Sequence, residues 1–532
     1  MIMKKNIITI LGIVSLMFSA CNKLDLEPKG FVALEQYYKN EEEAFQGLSG
    51  VYNTLANDSF YGRDWFFAFN IQDDLGYYDR NYTTEELFIN NFSYTNARLN
   101  NLWKNLYGGA NRASIFLENV ERVTFKDNTL KEAYKGEAKF LRAYYYFILS
   151  SLWGDVPLRK EAVTSVSQES QIGPTPKTEI FDFIIKEMEE AESMVYDATK
   201  FQSMGRISKS TVQGILARVY LKQAGYPINK GKPAYEKALY WAQQVKTSGY
   251  HHLNPDYKAV FINLIADKYE TAYRESIWEV EFKGNNVDGN QTAGYLGSYN
   301  GIYCNDGTNA DTPGWCYGYV SCTLKMEDLY TVPIDSMRKN WNVAAFRYNL
   351  NATTGVRTKT NWTTAQLVYR SAGKFRREYE TLKPKFKDYT PINFPVLRYA
   401  DVLLMIAEAD NEFNGMPTTV GYDAINEVRR RAMPTTPLIS GLNYSSFQQL
   451  VRDERARELC FEGTRKMDLV RWGIYVETMT TGRRNMVNDS RWHANKKYAS
   501  FIADFTSDKH NLYPIPSSEL STNSKMKQNP LW

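Results

Sequence analysis

The chain reads as a mainly α protein, a scaffold of tetratricopeptide-like helix pairs interrupted by one long irregular insertion of loops and short strands. Three observations predict this. Between 130 and 248, apolar residues recur at three and four spacing in segments of similar length, as in helices that bury one stripe. From 276 to 390 that period is lost and Gly, Asn, Thr and Tyr dominate. After 399 the helical period returns.

The amino-terminal segment predicts export. Lys4 and Lys5 start it, about 12 largely apolar residues run from Ile7 to Phe18, and Ser19-Ala20-Cys21 closes it. The run is too short for a bilayer-spanning helix, which needs ~20 residues, and it has the order of a secretory signal. Small residues before a cysteine resemble a bacterial lipobox, with Phe18 where Leu is usual. On that reading residues 1–20 are removed, Cys21 is lipidated, and 21–32, with Pro28 and Gly30, form a tether. Acyl chains contribute ~0.8 kcal/mol per buried methylene, so several together anchor stably. Asn22, where a retention signal would place Asp, points to the outer membrane, with the body facing the exterior. That body is expected to be one compact unit with an amino-terminal region, 33–275, and a carboxy-terminal region, 276–532.

Within it, 40–55 places Ala44, Leu48 and Val51 on one helical face, 56–96 has no steady period and reads as loop, and helix returns over 100–123. The clearest helix is 130–153. Tyr134, Ala138, Leu141, Tyr145, Ile148 and Leu152 make a single stripe, Gly154 stands at the cap position and Pro157 prevents resumption. Amphipathic helices follow over 180–196, 208–224 and 235–248, with small residues beside aromatics (Ala217 with Tyr220, Ala238 with Trp241), as in tetratricopeptide-like arrays. Ser276 to Phe282 alternates like a strand. Helices resume at 399–412, 422–431 and 447–462, Pro434 stopping the middle one. Loops as long as those of 276–390 are usually functional.

Composition narrows the chemistry. Formal charge is +4, falling to +2 without Lys4 and Lys5, and no basic block stands out, so nucleic acid has no electrostatic footprint. Tyrosine is the outlier: 38 Tyr with 27 Phe and 11 Trp supply rings, many with a polar handle, suited to wet binding surfaces. Of five cysteines, lipid would take Cys21. Cys304, Cys316 and Cys322 cluster, an oxidising exterior permits one disulfide among them, and Cys460 reads as a buried apolar residue. Their spacings fit no zinc site, and no cofactor is called for.

Glu454, Glu458 and Glu462 line one helix face, and paired carboxylates are how glycosidases work. Arg452, Arg455, Arg457, Arg465 and Arg471 crowd the same region. They are expected to tie helices together and keep the carboxylates ionised, the opposite of the raised pKa an acid catalyst needs. His251 and His252 lack the one-turn separation of a helical metal motif and read as a solvated pair past a helix end. Ser49-Gly50 lacks a nucleophile elbow. The chain is therefore read as no enzyme.

Two aromatic clusters are the candidate binding residues. The first holds Trp65, Phe66, Tyr77 and Tyr78 beside Asp73, Asp74 and Arg80. The second holds Tyr295, Tyr299, Tyr303, Trp315, Tyr317 and Tyr319 with Asn300, Asn305, Asp306 and Asp311, in a glycine-rich stretch. Sugars present apolar C–H faces rimmed by hydroxyls; a flat ring matches the face, and Asn, Asp or Arg satisfies the hydroxyls. The ligand contacts singled out are Trp315, Tyr299, Tyr303, Tyr317, Tyr319, Asn305, Asp306, Trp65, Tyr77, Tyr78 and Asp73, with Trp315 foremost. Packing of the rings beneath long loops is the competing reading.

Several segments in consistent order resemble the SusD/RagB family of surface lipoproteins. They are Gly136-Glu-Ala-Lys-Phe-Leu-Arg-Ala-Tyr-Tyr-Tyr-Phe147 leading to Gly154-Asp-Val-Pro-Leu158, Pro395-Val-Leu-Arg-Tyr-Ala-Asp-Val-Leu-Leu-Met-Ile-Ala-Glu-Ala409, Ile425-Asn-Glu-Val-Arg-Arg-Arg-Ala432, Glu454-Arg-Ala-Arg-Glu-Leu-Cys-Phe-Glu-Gly463 and Asp468-Leu-Val-Arg-Trp-Gly473, closing on Tyr513-Pro-Ile-Pro516 and Gln528-Asn-Pro530. The resemblance implies a SusD-like fold. It also implies a lipid-anchored outer-membrane protein of polysaccharide uptake that binds oligosaccharide and delivers it to a partner SusC-like TonB-dependent transporter. A peptide is the runner-up ligand, and a secreted glycoside hydrolase using the helix carboxylates ranks below both. The matching motifs do not extend into either aromatic cluster.

Overall fold

The computed structural model describes residues 37–81, 86–286, 292–305, 313–351 and 353–532. The expected signal, Cys21, the tether, Asp306 and Asp311 lie outside the described residues. No helix among the described residues is long and apolar enough to cross a membrane.

The scaffold is built from α1 (Glu41–Tyr52), α2 (Ala97–Asn119), α3 (Asn128–Trp153), α4 (Lys177–Met194), α5 (Lys209–Ala224), α6 (Lys232–Thr247), α7 (Tyr399–Asn414), α8 (Thr419–Ala432) and α9 (Tyr444–Leu459). Their starts are chemically marked. The Asn40 side chain accepts from the Glu43 amide, and Glu41, Glu42 and Glu43 complement the helix dipole. Asp127, Ser208 and Asn443 cap α3, α5 and α9 in the same way. Each helix from α2 to α5 packs on the next, and α7 packs on α6 although residues 248–398 separate them. The irregular insertion is thus looped out of a continuous array, as the period predicted.

Helix α3 ends at Gly154, whose φ of +77° an L side chain rarely adopts. Its burial corrects the single-stripe expectation, since every residue from Phe140 to Trp153 is buried. The reason is position: α2 and α4 flank α3, and the Trp278 ring meets Phe140 edge-on at 5.5 Å. Residues 56–96 are likewise no surface loop. Phe60, Trp65, Phe66, Phe67 and Phe69 join the main core through two short π turns, Asp58–Gly62 and Trp65–Phe69.

The insertion contributes short strands. With β1 (Gly76–Tyr78), β2 (Ser276–Val280), β3 (Val320–Cys322), β4 (Val343–Ala344), β5 (Phe346–Leu350), β6 (Arg357–Asn361), β7 (Ser371–Ala372) and β8 (Phe394–Arg398), the sheets are β1-β3-β7-β4, β2-β8 and the hairpin β5-β6. His251 corrects another expectation. It is 1% exposed, its Nδ1 lies 2.7 Å from the Arg274 carbonyl oxygen, and burial lowers its pKa to about 4.

Helix α9 ends at Leu459 and Phe461 turns to φ +63°, so Glu462 lies beyond the helix and not on its face as the spacing predicted. Glu454, Glu458 and Glu462 nevertheless share one buried ionic network whose partners come mostly from distant segments. Arg338 donates to Glu454 (2.7 Å) and Glu458 (3.2 Å), Arg431 to Glu458 (2.5 Å), and Arg398 to Glu458 (3.3 Å) and Glu462 (2.8 Å). The nearby arginines bind elsewhere: Arg455 reaches Asp401 and Asp468, Arg465 reaches Asp74, and only Arg457 holds Glu454. Burial alone would raise the Glu458 pKa, but Arg431, Arg398 and Arg338 outweigh it and bring it to about 2. Glu454 is brought to about 2 against the same burial by Arg338, Arg457 and Arg429. Carboxylates held this firmly ionised brace helices and cannot serve as acid catalysts.

Candidate functional site

Strand pairing brings the two aromatic clusters together. β1 runs antiparallel to β3 with Tyr77 opposite Ser321 and Tyr78 opposite Val320, and the Asp79 amide extends the ladder by donating to the Tyr319 carbonyl (2.8 Å). Successive strand residues face opposite sides, so Tyr77 and Tyr78 part company. Tyr78 stacks between Phe88 (4.0 Å between ring centres) and Tyr319 (5.5 Å).

Residues 315–320 alternate in the same way. Trp315, Tyr317 and Tyr319 are half-buried, while Cys316, Gly318 and Val320 are buried. Three rings two residues apart therefore stand on the less buried side of this segment. Tyr317 and Tyr319 lie parallel, 4.9 Å apart and 3° from coplanar orientation, and Trp315 meets Tyr317 edge-on at 5.9 Å. The column Phe88–Tyr78–Tyr319–Tyr317 thus runs outward from the core toward Trp315. Tyr299 braces it at right angles, 5.5 Å from Tyr317 and 5.1 Å from Tyr319.

Polar groups rim the column. Arg80 lies 4.8 Å over Tyr319 and donates to the Tyr317 carbonyl (2.8 Å). Lys387 lies 4.7 Å over Trp315 and 5.5 Å over Tyr317, and the Tyr317 hydroxyl donates to Asp388 (2.6 Å). Burial and the Asp388 carboxylate raise the Tyr317 hydroxyl above its ordinary range. Burial likewise pushes Tyr299 up to about 12. Both phenols are therefore neutral donors at pH 7. Tyr303, half-buried, packs over Gly318, whose φ is +58°; a Cβ there would stand 2.8 Å from the Tyr303 ring. Asn305 is half-buried beyond Cys304.

Three expected contacts leave the site because they are interior. Trp65 is 3% exposed, wedged against Phe60 and Tyr61. Tyr77 packs on Trp492 across the sheet and donates to the Val368 carbonyl (2.6 Å). Asp73 accepts from the amides of Leu75 (2.8 Å) and Gly76 (3.0 Å), shaping the turn into β1. Burial and the neighbouring Asp74 raise its pKa to about 7. Tyr78, 8% exposed, backs the column rather than facing solvent. In exchange, Arg80, Lys387 and Asp388 join the platform. Arg80 stood in the first cluster; Lys387 and Asp388 carried no sequence signal.

A recess of 530 Å³ lined by Trp103, Tyr107, Arg159 and Glu519 involves none of the platform's rings. Among the described residues, no group of His, Cys, Asp and Glu side chains is arranged to hold a metal ion. Rings with neutral hydroxyls, two cations and a carboxylate can recognise a polyhydroxylated ligand by contact and hydrogen bonding.

Comparison with known proteins places the fold. The sequence model of the SusD family matches residues 336–532, and that of "Starch-binding associating with outer membrane" matches 33–221. The SusD-like protein P25 of Formosa agariphila is 25% identical, covering 98% of this chain and 97% of its own. The starch-binding protein SusD of Bacteroides thetaiotaomicron is 27% identical over 78% of this chain and 75% of its own. A crystal structure of a SusD homologue from Bacteroides thetaiotaomicron superposes with a TM-score of 0.85 at 28% identity, covering 94% of this chain and 98% of that one.

Proposed function

The chain belongs to the SusD/RagB family, and from that premise we propose that it binds an oligosaccharide on the Trp315–Tyr317–Tyr319 platform and delivers it to a SusC-like TonB-dependent transporter. In this reading it is a lipoprotein of the outer membrane, held by acylated Cys21 and facing the exterior. The observation that carries the binding role is the column of rings that ends at Trp315 beside Arg80, Lys387 and Asp388. A sugar ring lays its C–H face on an aromatic surface while its hydroxyls reach charged and phenolic partners. The likeness to a starch-binding relative supports a glycan over a peptide.

Two measurements test the proposal. A glycan array probed with the full-length protein is expected to return a polysaccharide-derived family, and an array without hits alongside tight peptide binding would reverse the ligand class. Co-purification from mild detergent is expected to recover a large β-barrel partner. Recovery of the lipoprotein alone under every gentle condition tried, including chemical cross-linking in intact cells, would contradict the transport role.

A further inference from the structure

We propose that Cys304 and Cys316 form a disulfide in the exported protein, clamping the segment that carries Trp315 to the one that carries Tyr303. The two residues exchange both backbone hydrogen bonds: the Cys304 amide donates to the Cys316 carbonyl, and the Cys316 amide to the Cys304 carbonyl, each at 2.9 Å. Residues paired in this way stand directly opposite one another, side chains on the same side, with Cα atoms about 5.5 Å apart. Disulfides bridge Cα separations of roughly 4.4–6.8 Å. Both side chains sit in one buried apolar cluster with Ile302, Ala344 and Tyr348. They stand there as thiols in this structure, the Cys316 Sγ accepting from the Gly318 amide at 3.4 Å, and the strand pairing already holds the two backbones at a separation a disulfide spans.

The other cysteines fit less well with this pair. Cys322 and Cys460 share a different cluster with Met326 and Tyr330. Of the three clustered thiols, the pairing therefore selects Cys304 with Cys316 and leaves Cys322 out.

Location gives the bond a consequence. Cys316 lies between Trp315 and Tyr317, on the buried side of the segment whose other side presents the rings. A one-residue slip of a strand turns every side chain to the opposite face, and a covalent tie at Cys316 forbids that slip. The chemistry balances as a thiol–disulfide exchange. Each cysteine loses one hydrogen, and the two electrons and two protons pass to a disulfide-bonded thiol oxidant, which leaves as two thiols. Burial pushes the Cys316 thiol up to about 11, so the folded thiol is a poor nucleophile and the bond must form while the chain folds after export.

The test uses full-length protein made in cells that export it, unfolded in N-ethylmaleimide without reductant and mapped by mass spectrometry. No Lys or Arg lies between Lys283 and Lys325, so trypsin would leave three cysteines in one peptide; chymotrypsin, cutting after Tyr303, Trp315 and Tyr317, separates them. The expected result is a peptide beginning at Cys304 linked to one beginning at Cys316, with Cys322 and Cys460 labelled. Reduction is expected to lower the melting temperature of this protein by a few degrees and to leave Cys304→Ser unmoved. Labelling of all four cysteines in the exported protein would overturn the proposal, as would a link that joins Cys322 to Cys304 or to Cys316. The map needs no variant, so it decides even if Cys304→Ser fails to fold. It also stands apart from the glycan reading, since the bond is scored without a ligand.

Discussion

Glu458→Ala tests the scaffold most severely. The carboxylate is fully buried and receives Arg431, Arg398 and Arg338 at 2.5, 3.3 and 3.2 Å. Its pKa falls from an ordinary 4.5 to about 2, which at ~1.36 kcal/mol per unit corresponds to about 3 kcal/mol of stabilisation at neutral pH. Breaking a buried pair by removing one partner costs about 3–5 kcal/mol in general. The low end applies here because each arginine keeps a second carboxylate: Arg431 keeps Glu275, Arg398 keeps Glu462, and Arg338 keeps Asp335 and Glu454. Unfolding entropy of ~2.1 cal/mol/K per residue gives a body of this size roughly 1 kcal/mol/K, so the melting temperature should drop by about 3 °C. Differential scanning calorimetry at pH 7 reads it directly, and Glu458→Gln, which keeps the volume, separates lost charge from lost packing. A Glu458→Ala melting temperature within about 1 °C of wild type would refute the argument that this network braces the helices.

The remaining predictions concern pH, packing and anchoring. Glu454 and Glu458, both lowered to about 2, contribute stability above pH ~4.5 that is lost as pH falls toward 2; His251 and His510, lowered to about 4, contribute above pH ~6.5 and lose it as pH falls through 4. Asp73 and Glu279, raised to about 7, act oppositely, contributing most below pH ~4 and losing that as pH rises to 7. Melting temperature should therefore fall most steeply below pH ~4, where only destabilising changes remain, and a flat profile from pH 5 to 2.5 would contradict these assignments. Gly225→Ala places a Cβ 2.3 Å from the Arg471 carbonyl oxygen, so backbone must move; overpacking costs about 1–3 kcal/mol, readable in a urea titration. Cys21→Ser should release the protein from membranes or leave it unprocessed, as fractionation and mass spectrometry would show.

What the sequence made legible follows from what is local. The helical period located α1 to α9 within a few residues, because one buried stripe per helix is written in consecutive positions. It could not show that Phe140 to Trp153 is buried all round, since that depends on two neighbouring helices and Trp278. The same limit divides the carboxylates from their partners. Glu454 and Glu458 share a face of α9 by spacing alone, yet Arg338, Arg398 and Arg431 arrive from segments that only the tertiary fold brings near. At the platform, the signal that could have been used was the alternation of Trp315, Tyr317 and Tyr319 with Cys316 and Gly318, which puts three rings on one side. The junction of the two clusters could not be read, because Tyr78 and Val320 pair across a long sequence separation. For the same reason the sequence named both Tyr77 and Tyr78, although a strand must send one of them away from the other.

The platform claim meets its most direct test in calorimetric titration of wild type, Trp315→Ala and Tyr317→Phe with the oligosaccharide the array selects. Aromatic contacts contribute about 0.5–1.5 kcal/mol each beyond the area they bury, so Trp315→Ala should weaken binding by at least several-fold without moving the melting temperature by more than the error. Tyr317→Phe, which keeps the ring and removes the hydroxyl that donates to Asp388, should have a smaller effect. Wild-type affinity in Trp315→Ala, with the fold intact, would contradict the assignment of the glycan to these rings.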